Sequence, residues 1–164
     1  MATATYEPIA TYTATGSETS FTFSSLGSYT DLYMVVDAKN LTGNSDVLLR
    51  FNSDTGTNYS ATILGGDGSS AYSARRTSST SIICNYFNFL NSTNATQFNI
   101  NIQNFSNATT YKTAILRANR AAQATEAIVG MWRNTAAVTS VTLAISSSNY
   151  ASGSTITLYG IKAA

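Results

Sequence analysis

Residues 97–103 alternate strictly between apolar and polar side chains, and this alternation limits the fold more than any other part of the chain. Phe98, Ile100 and Ile102 are separated from one another by amide side chains. In a β-strand successive side chains point to opposite faces, so a strand places the apolar groups on one face and the amides on the other. The segment therefore predicts a strand with one face buried and one face in water.

Shorter runs with the same two-residue period recur along the chain, separated by turn-forming clusters of Gly, Ser, Asn and Asp. The segment 118–127 is the best helical candidate, but it is short and contains Thr125, so we do not expect a helix there. Many short strands without long helices predict an all-β chain. We expect an antiparallel β-sandwich over residues 17–164, of the jelly-roll type in preference to the immunoglobulin type. The runs are 21–23, 32–36, 47–51, 59–63, 83–89, the set Tyr111, Thr113 and Ile115, 128–132, 141–145 and 156–161.

The N-terminal segment, residues 1–16, differs in composition from the rest of the chain. It alternates Thr, Ala and Tyr and holds the only proline of the chain. We predict an extended arm that lies along a neighbouring subunit instead of joining the core. The candidate partner contacts in this arm are Tyr6, Pro8, Ile9 and Tyr12.

Two further candidate contacts lie outside the arm. Asp67 stands in the glycine-rich run 65–70, which predicts a mobile loop at one end of the sandwich. Tyr72 follows this loop, and an exposed aromatic ring such as Tyr72 or Trp132 is suited to stacking on the face of a sugar. Both candidates fit a glycan as well as a protein partner.

The tripeptide Asp54-Thr55-Gly56 also occurs in the active sites of aspartic proteases. Those enzymes need two such carboxylates, and this chain contains one copy, so a protease would have to be completed by a second subunit. The tripeptide also separates two strand runs closely, which favours a short hairpin with Gly56 at a positive φ angle. We favour the turn.

Composition excludes several classes of function. The chain has no histidine, which removes Ser-His-Asp and Cys-His catalysis and imidazole zinc sites. Nine basic and eight acidic residues leave a net charge of +1, too little for a nucleic-acid partner. No stretch approaches about 18 consecutive apolar residues, so we predict no membrane partner. We expect a non-enzymatic protein without cofactor or metal; a hydrolase that uses a carboxylate pair stays an alternative, since spacing in the sequence does not test it.

Two stretches carry a family resemblance. The segment Phe51-Asn52-Ser53-Asp54-Thr55-Gly56-Thr57-Asn58-Tyr59-Ser60 resembles a hairpin of small β-structured virion proteins of tailed bacteriophages. The C-terminal third, which ends in Tyr159-Gly160-Ile161-Lys162, is similar to the ending of that group. The resemblance implies a jelly-roll structural domain, usually trimeric, used either as a capsid decoration (cement) protein or as the tip of a tail fibre. No catalytic motif comes with it.

Between these two roles we expect the first. The sequence begins with Met1 and has the length of one domain, without the long trimeric shaft of a tail fibre. Few charges and many Ser, Thr and Asn side chains suit modest contacts that symmetry repeats on a shell. The expected partners are the major capsid protein and further copies of this chain, as a trimer or a dimer, at the capsid surface of the virion. The alternative is a tail-fibre head that binds a host surface glycan.

Overall fold

Fourteen β-strands and no helix occupy residues 5–86, 90–120 and 123–162, which are the residues that the computed structural model describes. The strands are β1 (Tyr6–Thr13), β2 (Ser20–Phe23), β3 (Asp31–Ala38), β4 (Asn44–Ser45), β5 (Val47–Phe51), β6 (Tyr59–Gly66), β7 (Ala71–Ser79), β8 (Ile82–Ile83), β9 (Leu90–Asn91), β10 (Thr96–Gln103), β11 (Lys112–Arg120), β12 (Ala124–Trp132), β13 (Val141–Ile145) and β14 (Thr155–Ile161).

The strands form two main antiparallel sheets that pack face to face, so the predicted β-sandwich is confirmed. The larger sheet has eight strands in the order β1-β14-β3-β10-β11-β12-β6-β7. The smaller sheet has four strands in the order β2-β13-β5-β8, and β4 pairs with β9 at one end. Of the segment 118–127, residues 118–120 belong to β11 and residues 124–127 to β12, as expected from its weak helical signal.

The core lies between the two sheets. The predicted inward residues of β10, Phe98, Ile100 and Ile102, are fully buried, while the amides between them face outward. Leu49 and Leu143 from the smaller sheet belong to the same buried cluster. Burying side chains of this size contributes roughly 1.5–3 kcal/mol each, so the interlocked inner faces hold the two sheets together.

The predicted N-terminal arm differs from the structure. Tyr6–Thr13 is extended, but it forms β1, an edge strand paired antiparallel with β14 along its length. This part of the arm therefore belongs to the sandwich and is not separate from it. The physical reason is that Ile9 and Ala10 pack against the core, which stabilises pairing between the first and the last strand. Residues 1–4 of the predicted arm lie outside the described residues.

The predicted hairpin at Asp54-Thr55-Gly56 also needs correction. β5 and β6 belong to different sheets, so the turn between them leads the chain from one layer of the sandwich to the other. The positive φ angles are at Asn52 (53°) and Ser53 (56°), and Gly56 has none. The Asn52 side chain holds this geometry, because its Oδ1 accepts hydrogen bonds from the backbone N–H groups of Thr139 (2.7 Å) and Ser140 (3.1 Å).

Candidate functional site

The β1 edge carries four of the six predicted partner contacts. β1 pairs with β14 on one side and is the terminal strand of the larger sheet. Tyr6 is 55% exposed, and its ring meets that of Tyr33 edge-on at 6.0 Å. Pro8 is exposed beside a β-bulge between Pro8 and Ala10. A proline and a bulge interrupt the row of backbone donors, which makes uncontrolled pairing at such an edge unfavourable.

Tyr12 and Ile9 line the other side of the same strand, toward the smaller sheet. The Tyr12 ring lies 5.3 Å from Phe21 and 4.9 Å from Phe23, both on β2, and its hydroxyl donates to the carbonyl of Thr22 at 3.1 Å. Ile9 is half-buried and borders a shallow groove of about 130 Å³ together with Tyr12 and Phe23. Tyr12 thus links the two sheets at their open edge and still leaves 37% of its surface exposed.

The C-terminal Tyr159-Gly160-Ile161-Lys162 segment contacts β1 and holds it in the sheet. Lys162 Nζ lies 2.7 Å from Glu7 Oε1 on β1, and the Tyr29 hydroxyl donates to Glu7 Oε2 at 3.1 Å. The hydrogen bond from Lys162 lowers the pKa of Glu7. Gly160 leaves room for the Tyr29 ring, because a Cβ at this position would overlap it. Gly160 and Lys162 therefore help to hold the two ends of the described chain together.

Asp67 serves its own loop. Its Oδ1 accepts hydrogen bonds from Ser69 N (2.9 Å), Ser70 N (2.7 Å) and Ser69 Oγ (2.8 Å), and the backbone bond from Ser69 is the main cause of its lowered pKa. The loop borders an open groove of about 650 Å³ between the β6–β7 and β11–β12 hairpins. The groove is lined by Asp67, Gln97, Asn119, Arg120 and Thr125, among others.

Tyr72 does not extend toward solvent. It is half-buried over Gly65, its ring stacks on Tyr86 at 6.3 Å, and its hydroxyl donates to Glu126 Oε1 at 2.7 Å. Glu126 is 3% exposed, and its Oε2 accepts from the backbone N–H of Tyr86 at 2.9 Å. Burial raises the pKa of Glu126. This pair connects β7, β12 and the segment after β8, so the structure gives Tyr72 a packing role instead of a displayed aromatic face.

The Asp54 carboxylate is likewise engaged in packing. Its Oδ2 accepts from Trp132 Nε1 (2.7 Å) and Asn58 Nδ2 (2.8 Å), and its Oδ1 accepts from Gly56 N (2.7 Å). These bonds, with the one from Asn58 largest, lower the pKa of Asp54. Trp132 is 1% exposed, so it offers no stacking face to a sugar. The segment 51–60 therefore builds a turn that anchors a core tryptophan.

The sequence did not predict the buried Lys112. The run with Tyr111, Thr113 and Ile115 has the opposite phase in the structure: Lys112 and Ala114 point inward, and Ile115 is 44% exposed. Lys112 Nζ donates to the backbone carbonyls of Thr110 (2.6 Å) and Thr135 (3.1 Å), which joins two loops. Desolvation lowers its pKa.

The reversed phase leaves apolar side chains on the outer face of the larger sheet. Leu64, Ile115, Val129 and Met131 are 59%, 44%, 50% and 39% exposed, and they occupy the adjacent strands β6, β11 and β12. Ile115 lies directly opposite Val129. We call these four residues the aliphatic patch. The sequence feature that could have indicated this patch is the presence of large apolar residues in both phases of 128–132.

Within the described ranges, no three His, Cys, Asp or Glu side chains are grouped to hold a metal ion. No helix in these ranges has the length and apolar character needed to cross a membrane. In comparisons with known proteins, no family model matches the chain, and neither a curated protein nor a solved structure matches it.

Proposed function

We propose that this chain is a virion structural protein of a tailed bacteriophage: a decoration (cement) protein that binds across neighbouring subunits of the major capsid protein at the capsid surface. It acts mechanically and not as an enzyme, and stabilises the shell by adding contacts at junctions between capsid subunits. The proposal rests on the resemblance of two segments to such proteins and on the edge of the sandwich formed by β1.

The strand order supports the jelly-roll form of the sandwich that this resemblance implies. A jelly roll is a long antiparallel hairpin wrapped into two sheets, so its first strand pairs with its last, its second with the one before, and so on inward. The pairs β1 with β14, β2 with β13, β3 with β10, and β5 with β8 follow this rule. The hairpins β6–β7 and β11–β12 are then insertions that widen one sheet.

The observation that carries the proposal is the exposed aromatic edge of β1. Tyr6 and Pro8 are exposed on a terminal strand, and among the described residues no strand of the larger sheet pairs with its outer side. A rigid edge with a tyrosine and few charges suits a flat protein partner, since tyrosine supplies contact area at low entropic cost. Symmetry on a shell repeats the contact, and avidity then compensates for its modest individual strength.

The first test is the copy number per purified virion, measured by mass spectrometry against the major capsid protein. Hundreds of copies support decoration, and a number in the tens or below would move the protein to the tail. The second test is retention on purified shells. Removing residues 2–14 would uncover β14, so the point variants Tyr6→Ala and Pro8→Ala are preferable, with Thr22→Ala on β2 as a surface control. Normal retention of both variants would remove β1 from the capsid contact.

The second candidate function, a tail-fibre head that binds a host glycan, is favoured by the groove beside Asp67. Amide side chains such as Gln97 and Asn119 pair well with sugar hydroxyls, and both line this groove. The test is a glycan array with the double variant Gln97→Ala/Asn119→Ala. Asn101→Ala, a change of the same kind on β10 outside the groove, is its matched control. Saturable binding lost only in the double variant would support the glycan function.

A further inference from the structure

We propose that the outer face of the eight-stranded sheet binds a second copy of this chain, with the β14–β3 half of one copy packed against the β11–β12–β6 half of the other. The inference rests on the self-association that is expected from the sequence, and it does not depend on the capsid location in the proposed function. It assigns that self-association to a surface, from the distribution of apolar and charged groups.

The first observation is where the exposed apolar surface lies. Of the nine large hydrophobic residues exposed in the described part of the chain, six are on this one face. They are Tyr6, Val35, Leu64, Ile115, Val129 and Met131. The outer face of the smaller sheet differs: Thr22 and Thr142 lie opposite each other there and hydrogen-bond at 2.8 Å. Exposed apolar surface concentrated on one face marks an interaction site, whereas scattered single residues do not.

The second observation is how charge divides the same face. β3 carries the acidic residues Asp31 and Asp37, whereas Arg117 on β11 and Arg75 on β7 are basic. The strand between β3 and β11 is β10, whose outward side chains are neutral amides. Neither Asp37 nor Arg117 forms an ion pair within the described ranges. The two halves are thus complementary to each other and not to themselves, which excludes a like-to-like overlay.

The registers show which residues meet. Asn101 of β10 lies opposite Tyr33 on one side and Ile115 on the other. If a second copy is rotated by half a turn about an axis that runs parallel to β10 above this face, Tyr33 of one copy lies over Ile115 of the other. By the same operation Tyr159, opposite Tyr33 on β14, covers Val129, opposite Ile115 on β12.

The charges meet in the same overlay. Asp37 comes over Asn119, since both lie opposite Gln97. Arg117 is two residues along β11 from Asn119, and its long side chain spans that step. Aromatic rings therefore cover Ile115 and Val129 of the aliphatic patch while Arg117 reaches Asp37. The two copies are related by a half-turn, so this contact closes as a pair.

The test is a charge exchange measured by analytical ultracentrifugation over a concentration series of the full chain. Arg117→Asp and Asp37→Arg each place like charges together, and each is expected to raise the dissociation constant by roughly tenfold or more. The double variant Arg117→Asp/Asp37→Arg restores an opposite pair and is expected to recover most of the association. Val129→Glu, a charge inserted in the aliphatic patch, is expected to leave the chain monomeric.

Arg50→Asp is the matched control, because it makes the same charge change on the smaller sheet, where Arg50 is half-exposed. Thermal unfolding of each variant separates lost association from lost folding, and for the exposed sites Asp37, Arg117 and Val129 we expect a melting temperature within about 2 °C of the parent. A parent chain that stays monomeric at all concentrations would overturn both the inference and the self-association expected from the sequence. An oligomer insensitive to Arg117→Asp and Val129→Glu would overturn only this choice of face, and capsid copy number is independent of either result.

Discussion

The indole Nε1 of Trp132 donates a 2.7 Å hydrogen bond to Oδ2 of Asp54, which lies 78 residues earlier in the chain. The bond joins the last residue of β12 to the turn that leads from the smaller to the larger sheet. A buried indole N–H needs such an acceptor, because an unsatisfied donor in the core is costly. Asp54 is therefore a structural anchor whose removal has a measurable consequence.

We expect Asp54→Ala to lower the free energy of unfolding by about 2–3 kcal/mol, since the donors of Trp132, Asn58 and Gly56 all lose their acceptor. Asp54→Asn keeps one acceptor oxygen and is expected to cost less than half as much. Urea unfolding followed by tryptophan fluorescence measures both, because Trp132 is the only tryptophan. An Asp54→Ala variant as stable as the parent would show that the carboxylate does not anchor the indole.

Gly65 and Gly66 provide a matched pair at the end of β6. A Cβ on Gly65 would overlap the Tyr72 ring, whereas a Cβ on Gly66 would approach only Ser70 O, at 3.4 Å. Gly65→Ala displaces Tyr72 and breaks its hydrogen bond to Glu126, for an expected loss of about 1–3 kcal/mol. Gly66→Ala is expected to change stability by no more than about 0.5 kcal/mol. Chemical denaturation distinguishes them, and a reversed order would contradict the packing of Tyr72 over Gly65.

Glu126 makes the free energy of unfolding decrease as the pH rises, which is the opposite of the effect of a carboxylate whose pKa is lowered by folding. Burial raises its pKa above the ordinary value of 4.5, and the nearby charge of Asp46 acts in the same direction. The folded state therefore holds this proton more tightly than the unfolded state, so the contribution of Glu126 to stability falls as pH rises from about 4.5 through the folded pKa.

The measurement is the difference in unfolding free energy between the parent and Glu126→Gln from pH 4 to pH 8. Glutamine still accepts from Tyr86 N and bonds Tyr72, but it does not titrate. We expect the parent to lose stability relative to this variant as pH increases over the window. Asp54 and Glu7, whose pKa values are lowered, act in the opposite direction and are common to both proteins. A difference that is constant with pH would mean that Glu126 has an ordinary pKa.

We expect the protein to lose more stability when the aliphatic chain of Lys112 is removed than when only its charge is removed. Lys112→Met keeps the buried chain but removes the donors to Thr110 O and Thr135 O, at a cost of about 1–2 kcal/mol. Lys112→Ala also leaves a cavity and is expected to cost about 2–4 kcal/mol. Thermal melts of both variants provide the comparison. Equal losses would indicate that the stem contributes nothing to packing.

The pattern of β10 was fully predictable because its apolar residues occupy one phase and its amides the other. The inward faces of β11 and β12 were less predictable, because apolar residues occur in both phases of these strands. Local alternation does not say which set of side chains points inward. Neighbouring packing made the choice: Ala114 and Leu116 fit beneath the smaller sheet, Lys112 found two carbonyls, and Ile115 was left outside. The aliphatic patch is the consequence of that choice.

The predicted partner contacts likewise depend on packing that the local sequence does not show. The sequence predicts Tyr6, Pro8, Ile9 and Tyr12 as contacts of a separate arm, whereas the structure places all four on β1, which is held by its pairing with β14. The sequence predicts an exposed ring at Tyr72, whereas its hydrogen bond to Glu126 and its packing over Gly65 hold the ring half-buried.

By itself, the sequence determined that this chain is all-β, where β2, β5, β10, β13 and β14 begin and end to within one residue, and that it lacks the histidine chemistry of common hydrolases. These follow from a two-residue period and a composition, which are local or additive properties. Only the tertiary structure decided that β1 closes on β14, that Asp54 anchors Trp132, and that acidic and basic halves share one outer face. Each of these joins residues far apart in the chain, and such pairing is settled by packing and register across strands, which no local pattern contains.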